Sequence, residues 1–207
     1  MNSTKKFFVT IAGNIGSGKS SLTHLVSQKF GWTPYYESVS DNPYLSDFYA
    51  DMKRWSFNLQ IYFLAHRFRI HQEISQQPAS VIQDRSIYED AEIFARNIFD
   101  LGRMSERDFE TYTNLFYEMT DFLKPPDLLV YLKADVDTLI SQIKIRGREY
   151  EQNIERTYLE ELNKSYDKWV MNYKIGKCIT IETDHLDFVN NKDDFEYITG
   201  IIAKSLI

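Results

Sequence analysis

Gly13-Asn14-Ile15-Gly16-Ser17-Gly18-Lys19-Ser20 fits the pattern G-x-x-x-x-G-K-[ST] at every fixed position. The chemistry of that spacing is oxyanion binding. Glycines let successive backbone N–H groups turn inward, and the start of the helix that follows adds partial positive charge. Lys19 is placed to reach the outer phosphates and the Ser20 hydroxyl to hold Mg²⁺, with Ser21 beside them at the same helix start. A nucleoside triphosphate, ATP or GTP, with Mg²⁺ is the expected ligand.

Phosphoryl transfer further requires a group that accepts the acceptor's proton and cations that neutralise the moving charge. Glu37 follows a short β-prone run, and Asp84-Arg85-Ser86 follows another. From there Glu37 could face the phosphate loop, Asp84 could hold Mg²⁺ through water, and Arg85 could bridge the acceptor oxygen and Glu37. Arg146 and Arg148 flank Gly147 at the end of a helical stretch, a pattern suited to a lid closing over phosphates. A guanine-nucleotide switch is the first rival. Asn191-Lys192-Asp193-Asp194 matches N-K-x-D in letters, but the residues before it read as loop. Moreover, no glycine has an aspartate three positions earlier, so the companion D-x-x-G is missing.

The elements that must position these residues alternate. Strand-like runs are expected at 7–12, 33–36, 81–82, 128–132 and 178–181, and helices at 18–30, 55–74, 89–99, 106–123, 136–145, 156–170 and 195–206. Gly31 is the expected C-cap of the first helix. Such alternation predicts a five-stranded parallel sheet flanked by helices, an α/β fold with ligands at the carboxyl ends of the strands. Every motif above falls just after a predicted strand.

Composition agrees with one compact domain, residues 1–207. The chain has 30 acidic and 24 basic residues, a net charge of −6, which disfavours nucleic acid as a partner. No apolar run approaches the length of a membrane span, and residues 1–6 lack the apolar stretch of a signal peptide. A single cysteine, Cys178, excludes an internal disulfide and reads as a small buried residue in a reducing, cytoplasmic setting. Aromatic residues make up 15%; core packing would use them, and so would a cleft that stacks a planar ligand.

Taken together, the motifs resemble the deoxynucleoside kinase family over nearly the whole chain, residues 7–188. The resemblance rests on the phosphate loop, Glu37, Arg54-Trp55-Ser56-Phe57-Asn58-Leu59-Gln60, Asp84-Arg85-Ser86-Ile87-Tyr88, and Arg146-Gly147-Arg148 with Tyr158-Leu159 beyond it. It implies a P-loop kinase fold with an arginine-rich lid at about 146–156. It also implies that Glu37 is the base for the 5′-hydroxyl and that Arg85 holds Glu37 and the 5′-oxygen. Asp84 stands where the family usually has glutamate. Tyr49 and Glu151 match the pair that grips the 3′-hydroxyl, and Gln60 matches the base-reading amide. Arg67 and Asp90 match the charged pair of members that take deoxycytidine and purine deoxynucleosides. Asp187 and Phe188 close a segment, 183–188, that resembles the loop cupping the donor base. Two departures stand out. Ser38-Val39-Ser40-Asp41-Asn42-Pro43-Tyr44 resembles bacterial deoxyadenosine and deoxyguanosine kinases rather than animal enzymes, and Gln142 occupies the place of a further lid arginine. The implied reaction is ATP-dependent phosphorylation of a purine deoxynucleoside, deoxyadenosine foremost, with deoxyguanosine and deoxycytidine as alternatives. A thymidylate-type monophosphate kinase is the more distant one. A homodimer through the helices at 55–74 and 89–99 is implied as well.

Overall fold

The computed structural model describes residues 5–36, 42–148, 151 and 154–207. Five parallel strands form one sheet: β1 (Phe8–Gly13), β2 (Thr33–Tyr35), β3 (Val81–Asp84), β4 (Leu128–Lys133) and β5 (Lys177–Glu182), in the order β2-β3-β1-β4-β5. β1 is buried along its whole length, as its run of β-branched and aromatic residues requires of a strand covered on both faces. Its outer neighbours leave the sheet at matched heights. Ile11 pairs with Asp84, and Gly13 pairs with Leu132. The phosphate loop after β1 and the Asp84-Arg85-Ser86 segment after β3 therefore emerge at one edge.

Helices cover both faces. Val9 and Ile11 pack with Leu22 and Val26 of α1 (Lys19–Phe30) and with Ile198 and Ile202 of α9 (Lys192–Ser205). On the other face Ala12, Leu129 and Tyr131 pack with Ile93 and with Leu162 and Tyr166 of a later helix, α8 (Arg156–Met171). α1 runs between two left-handed glycines, Gly18 before it and Gly31 at its C-cap, whose N–H donates to the Ser27 carbonyl. The remaining helices are α2 (Leu45–Ala50), α3 (Met52–Gln76), α4 (Ile87–Glu89), α5 (Arg96–Asp100), α6 (Glu106–Thr120) and α7 (Val136–Arg146). No described helix is long and apolar enough to cross a membrane.

α6 ends at Thr120 rather than 123, α9 begins at Lys192 rather than 195 because Asn191 caps it, and three further elements differ from the expectation. α2 is additional; it is one short turn pair whose single buried residue, Phe48, gives no periodicity to read. α3 begins earlier, at Met52, because Asp51 caps it by accepting the Arg54 N–H; Lys53 and Arg54 in that first turn are exposed and carry no apolar signal. Its buried stripe also holds polar side chains, Gln60, Arg67 and His71, among leucines and isoleucine. The helix expected at 89–99 is broken into α4, a π-helix at Asp90–Ala95, and α5. In an α-helix two steps of four residues drift by about 80°. The wider π turn keeps residues four apart closer to one line. Asp90, Phe94 and Ile98, spaced by four, all face the same cavity. Cys178 on β5 is half-buried, and burial pushes its thiol up to about 11, leaving it a neutral, unreactive sulfur at neutral pH.

Candidate active site

The phosphate loop is held from outside as well as by its glycines. Gly16 has φ +87°, and a Cβ there would stand 2.7 Å from the Leu139 carbonyl of α7. At Gly18, φ +85°, a Cβ would meet the Phe188 ring at 2.8 Å. Asn14 ties the loop to α8: its Nδ2 donates to the Leu159 carbonyl (2.9 Å) and to Asn163 Oδ1 (2.7 Å), while its Oδ1 accepts the Ile15 N–H (2.7 Å). Lys19 is buried and its Nζ donates to the Asn14 carbonyl at 2.8 Å, so the cation already lies along the inside of the loop.

The Ser20 hydroxyl donates to Asp84 Oδ2. Asp84 is 2% exposed, and its other oxygen, Oδ1, is buried without a hydrogen-bond partner among the described residues. A buried carboxylate oxygen left open beside a serine hydroxyl is a hard-oxygen pair of the kind that holds Mg²⁺ through one carboxylate, waters and substrate phosphates. These two residues fit the metal that the sequence implies.

Two cavities meet over this loop. The first encloses about 790 Å³ including its mouth, and its lining includes Gln60, Arg85, Asp90, Phe94, Glu151 and Tyr158. Gln60 is 2% exposed and its Oε1 has no hydrogen-bond partner among the described residues, so an amide edge is left open to a ligand. Asp90 lines this cavity, whereas Arg67 stands behind it as an ion-pair partner, Nε to Oδ2 at 2.5 Å, with both side chains under 5% exposed. Arg67 Nη1 also donates to the Arg85 carbonyl at 3.2 Å. Phe48, rather than its neighbour Tyr49, lines the cavity; the Tyr49 ring lies edge-on to Phe48 at 5.4 Å. Phe48, Phe63, Phe94 and Tyr158 give the wall the aromatic character suggested by the composition.

The second cavity, about 1770 Å³ including the open space at its mouth, lies on the other side of the loop, with Gly16, Gly18, Ser21, Gln142, Asp187 and Phe188 in its lining. The Phe188 ring is 7% exposed and packed against Gly18, so it forms the floor. Asp187 is exposed; hydrogen bonds from Asn190 shape its turn and hold its carboxyl below the usual range. Asn191 in the N-K-x-D lookalike is the N-cap of α9, its Oδ1 accepting the Asp193 N–H at 2.9 Å. The segment is thus a helix start rather than the loop expected, and the Asn191 side chain is spent on capping it instead of on a base.

Lys19, Ser20, Arg146 and Arg148 line both cavities. Both lid arginines converge on Glu151, Arg146 Nη2 at 2.6 Å and Arg148 Nη1 at 3.4 Å. Glu151 is 6% exposed. Glu37 and residues 38–41, 149–150 and 152–153 lie outside the described residues.

The sequence model of the deoxynucleoside kinase family matches residues 9–207. The chain belongs to the deoxynucleoside kinase family. It is thus a phosphotransferase that phosphorylates deoxynucleosides. The deoxyadenosine/deoxycytidine kinase of Bacillus subtilis is 40% identical over 201 residues, 96% of this chain and 93% of that protein. A deoxyguanosine kinase of Lactobacillus acidophilus is 40% identical over 207 residues, 96% of this chain and 90% of that one. Among solved structures, deoxyadenosine kinase from M. mycoides with bound dATP superposes with a TM-score of 0.84 at 30% identity, covering 95% of this chain and 99% of that chain. The names share the reaction and differ in the base.

Within this kinase the sequence reading missed two buried polar residues, Glu89 and Tyr166. Glu89 is 0% exposed and accepts from the Ser86 N–H (2.7 Å), the Ser86 hydroxyl (3.2 Å), the Gly13 N–H (3.3 Å) and the Tyr166 hydroxyl (2.8 Å). A signal for the first of these was present, since Ser86-Ile87-Tyr88-Glu89 is a capping box.

Proposed function

We propose that this kinase transfers the γ-phosphoryl group of ATP to the 5′-hydroxyl of deoxyadenosine, giving the 5′-monophosphate and ADP. The observation that carries this reading is the meeting of two cavities at Lys19, Ser20, Arg146 and Arg148. A triphosphate seated in the loop would reach from the larger cavity toward the smaller one, where an acceptor waits. In this reading Glu37 takes the 5′-hydroxyl proton and Arg85 holds Glu37 and the 5′-oxygen. Glu151 holds the 3′-hydroxyl, with Tyr49, packed edge-on to Phe48 behind the cavity wall, as the second residue that the family resemblance gives for it, while Asp187 and Phe188 border the donor base. Ser20 and Asp84 would hold Mg²⁺, which supplies charge neutralisation on the phosphates when bound. Lys19 and the lid arginines, 146 and 148, lower the cost of the developing negative charge from fixed positions.

The polarity of the base end favours adenine. Asp90 presents an acceptor to the cavity, and the cation that could soften it, Arg67, lies behind. An exocyclic amino group donates to such a wall, whereas a guanine O6 would place acceptor against acceptor. Cytosine carries an amino group too, which favours deoxycytidine as the second substrate. ADP release with ATP and Mg²⁺ should be measured against deoxyadenosine, deoxyguanosine, deoxycytidine, thymidine, adenosine and thymidine monophosphate. Turnover is expected with deoxyadenosine first and deoxycytidine second. Turnover confined to the monophosphate would overturn the reading.

Replacing both members of the charged pair tests the base end. Removing Arg67 alone strands a buried carboxylate, with a cost of about 3–5 kcal/mol in stability, so the double variant Arg67→Ala with Asp90→Ala is the cleaner probe. The ratio of kcat/KM for deoxyadenosine over deoxyguanosine should fall by roughly tenfold or more, since a well-paired base edge discriminates by about 1–3 kcal/mol. An unchanged ratio would remove the pair from base selection.

We further read residues 1–207 as one cytoplasmic domain whose lid is the segment 146–156, assembled as a homodimer. Supporting the dimer, Tyr117 and Met171 are 53% and 84% exposed near the ends of α6 and α8, and Glu92 and Arg96 of the 89–99 segment line the groove beside Tyr117. Sedimentation equilibrium should give twice the chain mass.

A further inference from the structure

Arg85 is the described residue whose placement asks most of its surroundings. It has φ +63°, left-handed backbone that a residue with a side chain adopts only when its neighbours impose it. Its N–H donates to the Ile11 carbonyl at 3.0 Å, its guanidinium lies 4.3 Å over the Phe94 ring, and its Nη1 donates to the Tyr166 hydroxyl at 3.2 Å. Tyr166 is itself fixed. It is 0% exposed and stacked on Tyr131, centroids 5.5 Å apart and planes within 9°. Its hydroxyl has one proton, and that proton goes to Glu89 at 2.8 Å.

We infer that Glu89 and Tyr166 are positioning residues of the transfer reaction, forming a buried relay that holds the Arg85 guanidinium in place and ties it to the first N–H of the phosphate loop. The relay has one direction: Arg85 donates to Tyr166, Tyr166 donates to Glu89, and Glu89 also accepts from Gly13 and Ser86. Burial, and then the Glu89 charge, hold the Tyr166 phenol well above its usual range, so it keeps the proton that this direction needs. The three anchored segments are the end of β1, the turn after β3 and α8, beyond the lid. A shift of α8 would therefore be felt at Arg85 and at Gly13 together. Glu89 balances the charge of Arg85, a buried cation, without touching it, which leaves the guanidinium facing the acceptor cavity. The inference rests on the proposed role of Arg85 at the 5′-oxygen.

Tyr166→Phe removes one oxygen and keeps the stacked ring. We expect kcat to fall about 10- to 100-fold, the range that small misplacement of a catalytic group produces, with KM for deoxyadenosine and for ATP within about twofold of the parent. Glu89→Gln keeps the shape but turns an amide N–H₂ toward donors, and should give the same kcat-selective loss. The decisive comparison is with Arg85→Lys, alone and combined with Tyr166→Phe. If the relay acts through Arg85, Tyr166→Phe costs little once Arg85 is gone. Losses that multiply fully, or a Tyr166→Phe enzyme with parental kcat and only a lowered Tm, would overturn the relay while leaving Arg85 in its role. Parental turnover in Arg85→Lys would overturn the role of Arg85, and the relay with it.

Discussion

Glu37→Gln is expected to lower kcat by about 10²- to 10⁴-fold, the span attributed to a positioned general base, while the Kd for deoxyadenosine measured by calorimetry stays within about threefold. The amide is nearly isosteric and can still accept a hydrogen bond from the 5′-hydroxyl through its carbonyl, but it cannot take the proton. Binding and catalysis should therefore separate. The surrounding sheet gives a reason to expect the separation to be clean. β2 runs parallel to β3 with Tyr35 opposite Gln83, so both strands end at the same edge, and Asp84 and Arg85 leave β3 there. Glu37 follows Tyr35 by two residues in the sequence. Arg85, Lys19 and the lid arginines remain in the variant and would preserve residual transfer through charge stabilisation alone. A Glu37→Gln enzyme with parental kcat would remove Glu37 from the chemistry.

Asp84→Asn is expected to raise the Mg²⁺ concentration needed for half-maximal rate and to lower kcat/KM at fixed Mg²⁺ by about 10²-fold, or roughly 3 kcal/mol of transition-state stabilisation. The argument is electrostatic. Asparagine keeps an oxygen for the Ser20 hydroxyl, so the hydrogen bond survives; what is lost is the negative charge and the open oxygen Oδ1. In its place stands an amide N–H₂, a donor with no acceptor, aimed where a cation would sit. Titrating Mg²⁺ at saturating ATP and deoxyadenosine separates this from a general loss of structure. A parental Mg²⁺ titration in the variant would exclude Asp84 from the metal site.

The catalytic edge of the sheet was legible because its signals are local. Gly13 to Ser20 carries the phosphate loop in consecutive letters, Gly31 marks the end of α1, and the short apolar run Leu128–Leu132 of β4 reads as a buried strand. The π-helix was not legible. The 89–99 segment has ordinary helical periodicity, and the wider turn is set by what Asp90, Phe94 and Ile98 face across the cavity. Glu89 was read as a helix residue because its outside partners, Gly13 and Tyr166, lie 76 and 77 positions away along the chain. Arg67 shows the same limit in milder form. Its place on the inner face of α3 follows from helical spacing, but that it stands behind Asp90 rather than at the cavity wall depends on the packing of two elements.

The π-helix at Asp90–Ala95 makes chain length a property of the acceptor site. A helix with such a turn behaves as an α-helix carrying one residue too many. Deleting one residue there would let the segment heal into regular α-helix with both flanks kept in register, because the extra residue is taken up by the wide turn itself. What would change is the turn itself: Asp90 and Ile98 would stand seven residues apart instead of eight, and the spacing by four that brings Asp90, Phe94 and Ile98 to one cavity would be lost. Exchanging a side chain such as Glu92, which lies outside the acceptor cavity, leaves that spacing intact. Within this stretch the number of residues is constrained as well as the identity of those that face the cavity, so a deletion or insertion would reshape the pocket wall even where it spared Asp90 and Phe94.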